Sequence, residues 1–121
     1  FVGSLQIAFT SFESAKTAMN RLLQLPDPPD AVYGINDTVA FGLMKAIKEA
    51  GLKIPDDIGV VGFTDEFHSV VVSPALTSVT HPTFKMGQQI AQLFFKRLTG
   101  SQTETRIVKT QLIERESSNK S

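Results

Sequence analysis

The sequence predicts an α/β fold built on a parallel sheet, and three observations carry that prediction. Ala31 to Ile35 and Ile58 to Phe63 are short apolar runs, a helical segment lies between them, and each run ends in a polar cluster, Asn36-Asp37 and Thr64-Asp65. The second run is apolar throughout rather than alternating, as in a parallel strand covered on both faces. Strand, helix and strand make a right-handed crossover unit. In open parallel sheets, ligands bind in the crevice beyond the carboxyl ends of the strands, so the two polar clusters mark a candidate site.

The elements follow in order. Thr10-Ser11-Phe12-Glu13 fits a capping box with Thr10 as N-cap, and Ala15, Ala18, Met19, Leu22 and Leu23 recur at helical spacing, which predicts a helix over Ser11 to Leu23. Pro26-Asp27-Pro28-Pro29 cannot continue it and leads into Ala31 to Ile35, read as a buried strand. Asp37 is expected to cap the helix Thr38 to Ala50, and Gly51 to end it in the left-handed region. Leu76 to Thr80 is a third strand, Thr83 to Leu98 a third helix closed by Gly100, and Arg106 to Ile113 a last strand. The polar tail from Glu116 is expected to fray.

Composition sets the limits. The chain has 121 residues, enough for one domain at most, and its 12 Lys plus Arg balance 12 Asp plus Glu. A neutral chain of this kind has no field to grip nucleic acid or anionic lipid by itself. It has no cysteine, which excludes a disulfide framework and thiolate metal sites and fits a cytoplasmic location. No apolar run approaches the roughly 20 residues of a transmembrane helix, and no membrane partner is expected. Opening at Phe1 with FVGSLQIAFT, the chain reads as a piece of a larger protein.

Among candidate site residues, Asn36 offers both a donor and an acceptor just past a strand, which suits a hydroxyl-bearing ligand, while Asp37 is already explained as a cap. Thr64 and Asp65 end the second strand. Asp65 and Glu66, adjacent on an extended segment, point apart and make a poor acid–base pair. Tyr33 could stack on a flat ligand, although a core position is the commoner fate of a strand tyrosine. His81 follows the third strand and could face the crevice. Neither it nor His68 has a partner at ligand spacing, so no metal or other cofactor is expected. GxSxG, GxGxxG, Walker and HExxH motifs are absent, and nothing points to catalysis. Phe41 falls between Lys45 and Lys48 on the second helix, either scattered or part of an interface. The third helix is apolar over more than half its circumference and needs partners on two sides.

Taken together, NDTVAFGLMKAIKEAGLKIPDDIGVVGFTDE, SPALTSVTHP, MGQQIAQLFFKRLTG and LIERESS resemble, in order, the lactose and galactose repressor (LacI/GalR) family from about Thr10 to Ser118. The resemblance implies a lobe of a periplasmic-binding-protein-like (type I) fold, incomplete in this chain. It also implies a small-molecule effector, sugar or nucleoside, held between two lobes, and operator DNA bound by a helix-turn-helix domain outside it. Asn36 then matches a ligand-contacting asparagine. Thr64 stands where many members have an aspartate that binds ligand hydroxyls, and Asp65 is a possible substitute. Phe41 and Val72, with Lys45 beside Phe41, fall on the surface by which such repressors form homodimers. The helix Thr83 to Leu98 would belong to the other lobe. In this chain it is expected to be covered by a second copy, including by a domain swap. A periplasmic sugar-binding protein of an ABC transporter is the alternative of the same fold.

Overall fold

The computed structural model describes residues 11–100 and 104–120. A helix, α1 (Phe12–Leu22), opens it; β1 (Ala31–Tyr33), α2 (Asp37–Glu49), β2 (Gly59–Thr64) and β3 (Thr77–Thr80) follow, with a 3-10 turn at Phe67–Val70 between β2 and β3. The helix α3 (Thr83–Leu98), the short β4 (Leu112–Ile113) and a second 3-10 turn at Glu116–Ser118 complete it. The sheet has the order β1-β2-β3-β4. Strands β1, β2 and β3 are parallel and β4 is antiparallel to β3. The fold is therefore α/β with a mostly parallel sheet, and all three helices are where their periodicity puts them.

The core forms where α1 packs on α2 and α2 on the sheet: Ala15, Met19, Ala40, Leu43, Met44, Ala46, Ile47, Ile58, Val60 and Leu76 are buried together. The two helices meet closely at Gly42, where a Cβ would come within 2.3 Å of the Phe12 carbonyl oxygen and 3.0 Å of the Ala15 methyl. Gly42→Ala must push the helices apart. It is expected to lower stability by about 1–3 kcal/mol despite the better helix propensity of alanine, read from the urea midpoint at constant m.

Several expectations are corrected. The first helix is capped by Ser11 in a reciprocal box with Ser14, while Thr10 lies outside the described residues. Strand β1 stops at Tyr33 and is not buried, because among the described residues it pairs only with β2; Tyr33 is 57% exposed, so the core position expected for it does not hold. Gly51, at φ +78°, does end α2, and Gly100, at φ +83°, follows α3. Within Arg106 to Ile113 only Leu112 and Ile113 are strand. Arg106 turns aside toward α3, donating to Gln89 and Gln92 at 2.6 and 2.8 Å.

The tail expected to fray is instead bonded into the sheet. The Ser117 hydroxyl donates to the Val60 carbonyl at 2.6 Å and accepts from the Thr77 N–H at 2.8 Å. A side-chain hydroxyl thus stands between β2 and β3 where a direct ladder bond would otherwise run. Glu116 accepts from the Ala75 N–H, and Ser117 N–H donates to the Ala75 carbonyl. The helix α3 buries none of its residues: Phe84, Ile90, Phe94, Phe95 and Leu98 are 58–79% exposed.

Candidate functional site

The carboxyl ends of β1, β2 and β3 bring Tyr33, Asn36, Thr64 and His81 to one edge of the sheet. Asn36, not Asp37, is the N-cap of α2: its Oδ1 accepts from the Val39 N–H at 2.8 Å in extended backbone (φ −152°). Its side-chain NH2 has no partner among the described residues. Neither the Thr64 nor the Tyr33 hydroxyl has one there. The His81 ring lies 5.8 Å from Phe63, and its backbone N–H donates to the Thr64 carbonyl at 3.3 Å.

The tip of β2 is bent out of ordinary backbone. Thr64 has φ +118° and Asp65 φ +52°. A positive φ is an outlier for a β-branched residue and costs of order 1–3 kcal/mol, so it persists only where the surroundings hold it. What holds it is Asp37, which the sequence reading set aside as a cap. The Asp37 side chain is fully buried; its Oδ2 accepts from the Glu66 N–H at 2.8 Å and the Ser69 hydroxyl at 2.7 Å, and its Oδ1 from the Ser78 hydroxyl at 2.6 Å. Ser78 Oγ in turn accepts from the Asp65 N–H at 3.1 Å. Gly62 makes this possible, since a Cβ there would meet Asp37 Oδ1 at 2.3 Å.

Asp65 sits in a left-handed turn rather than the extended segment expected for it, and Asp65 and Glu66 have separate partners. The Asp65 Oδ1 lies 2.7 Å from Arg115 Nη1, without the alignment of a hydrogen bond, and Arg115 donates from the same nitrogen to the Leu76 carbonyl at 2.7 Å. Glu66 sits 3.3 Å from His68. Asp37 and Arg115 are what sequence reasoning passed over. The one was masked by its neighbour at the helix start, and the other lay in LIERESS, whose signal is tertiary. Among the described residues no group of three His, Cys, Asp or Glu could hold a metal ion, and no helix is long and apolar enough to cross a membrane.

On the other side of α2, Phe41 is half-buried against the core and meets His68 edge-on at 6.4 Å, and Val72 also packs against the core. Lys45 pairs with Glu49 at 3.3 Å, and Lys16 of α1 reaches the same carboxylate at 2.8 Å. The hydrogen bond from Lys16, then that from Lys45, holds the Glu49 carboxyl below its usual range. Phe67, Val70 and Val71 expose 55–76% of their surface on the turn beside them.

A mostly parallel sheet with polar side chains at its carboxyl-end tips is the arrangement in which open α/β sheets bind ligands, in the crevice beyond the strands. Residues 5–118 match the periplasmic binding protein-like domain. The chain is 42% identical over 92 residues to the "Probable HTH-type transcriptional repressor ExuR" of Bacillus subtilis (strain 168), a span that is 76% of this chain and 28% of that one. It superimposes with a TM-score of 0.87 and 28% identity on a LacI family transcriptional regulator from Bifidobacterium animalis subsp. lactis, covering 91% of this chain and 41% of that one. With a LacI family regulator from Enterococcus faecium, solved with bound ribose, the TM-score is 0.80 at 27% identity, over 89% and 40% of the two chains. The chain belongs to the periplasmic-binding-protein-like family, as part of the effector domain of a LacI-type transcriptional regulator. It spans less than a third of the length of the curated relative. These relatives are transcriptional regulators.

Proposed function

We propose that this lobe forms one wall of a small-molecule site in a DNA-binding regulator, and that the molecule is a sugar or nucleoside. The observation that carries this reading is the set of polar groups at three adjacent strand ends that have no partner among the described residues: the Tyr33 hydroxyl, the Asn36 side-chain NH2 and the Thr64 hydroxyl, with His81 beside them. Ribose in the Enterococcus faecium relative supports the ligand class. Asp65 contributes through its carboxylate if a ligand competes with Arg115 for it. The second wall comes from the rest of the parent protein, into which α3 would pack with its apolar face. Closure of the two walls on a ligand shifts the balance between two lobe geometries, and these set the spacing of paired DNA-binding heads in a homodimer built through Phe41, Lys45 and Val72. A cytoplasmic location goes with this reading.

The test separates ligand contact from helix capping. A thermal-shift screen of the full-length parent against sugars and nucleosides identifies the effector. Asn36→Ser, which keeps a capping oxygen and removes the amide, is then expected to weaken effector affinity about tenfold or more, the worth of one well-placed hydrogen bond. Operator affinity without effector should be unchanged. Unaltered effector affinity would remove Asn36 from the site.

A further inference from the structure

We infer that Asp37 is the positioning residue of this crevice: one buried carboxylate holds the strained Thr64–Asp65 tip and, through the same oxygen, the apolar turn Phe67–Val70. The inference rests on reading the crevice as an effector site. Asp37 itself never reaches the ligand, being fully buried beneath the tip.

The geometry is that of a joint. Asp37 Oδ2 is shared by the Glu66 N–H, which directly follows the left-handed pair, and by the Ser69 hydroxyl within the turn. Oδ1 is taken by Ser78, which also fixes the Asp65 N–H. The carboxylate has no room to retreat, because the Gly62 backbone lies directly against Oδ1 and Leu76 closes the same space. A packed interior transmits small displacements rather than absorbing them. Movement of the Glu66 amide on ligand contact is therefore passed to Ser69 and to the turn that exposes Phe67, Val70 and Val71. The same turn is tied into the sheet, with the Ser69 carbonyl accepting from the Leu76 N–H at 2.8 Å. Asp37 in this way links what the crevice holds to the shape of an exposed apolar face.

Amide hydrogen exchange on the full-length protein tests this without any ligand. In Asp37→Asn the Asp65 and Glu66 amides are expected to exchange at least tenfold faster, with the amides of α1 and α2 unchanged. Ser78→Ala, the milder variant should Asp37→Asn fail to fold, is expected to release the Asp65 amide and leave the Glu66 amide protected by Asp37 Oδ2. Ser69→Ala should loosen Val71 and Val72 and leave the tip protected. Ile47→Val, a core control, should accelerate exchange without singling out the tip. A pattern for both Asp37→Asn and Ser78→Ala that matches Ile47→Val would overturn the inference. Ribose, titrated calorimetrically, gives the second readout: where it binds the wild type, Asp37→Asn should lose at least tenfold in affinity and Ile47→Val should not. A wild-type protein that ignores ribose speaks against the ligand assignment only, and the exchange pattern still decides for or against Asp37.

Discussion

Replacing Asp37 by alanine is expected to remove about 3–5 kcal/mol of stability, a large share of the 5–15 kcal/mol that holds a domain together. Three donors lose their acceptor at once: the Glu66 N–H and the hydroxyls of Ser69 and Ser78. Each buried group left unsatisfied costs roughly 1–3 kcal/mol, and the two hydroxyls recover part of this by rotating toward other acceptors. The Thr64–Asp65 tip adds its own strain once nothing holds it. Equilibrium urea unfolding of the variant should show the midpoint moved down by roughly a fifth or more at constant m; a shift within error would mean that the carboxylate is replaceable by water.

Ser117→Ala is expected to cost about 2–4 kcal/mol, far more than a serine four residues from the end of the chain suggests. The substitution strips the Val60 carbonyl and the Thr77 N–H of their common partner in the middle of the sheet, where both residues are fully or almost fully buried. Ser117→Thr retains the hydroxyl but brings a methyl into a position with no exposure, so only partial rescue is expected. Thermal unfolding of the two variants against wild type checks the order alanine, threonine, serine. Equal midpoints would show that the strands close directly on one another.

The comparison of sequence with structure turns on which residues act locally. Helices α1, α2 and α3 were legible because their stop signals and apolar spacing lie within a few residues of one another; Gly51 at the end of α2 is the clearest case. That the tips of β1, β2 and β3 gather at one edge was legible too, since strand tips follow from strand order. The roles of Asn36 and Asp37 were not. Two adjacent polar residues at a helix start both satisfy the capping pattern, and only the positions of Ser69 and Ser78, 32 and 41 residues later, decide which one turns inward. The over-long last strand and the tail expected to fray failed for a similar reason. Apolar residues at 107 and 108 read as strand but have no strand partner among the described residues, and polar Ser117 reads as solvent-facing although its hydroxyl is needed between two strands.

The hydroxyl between β2 and β3 also sets the order in which the protein can be finished. Val60 and Ser117 are 57 residues apart, so as the chain leaves the ribosome the sheet's central seam stays unsealed well after α1, β1, α2 and β2 have emerged. A product cut before residue 117 would hold α1, α2 and α3 and leave the seam between β2 and β3 unsealed. Such a product is open to chaperones and proteases, and only chains made past residue 117 would carry a closed seam.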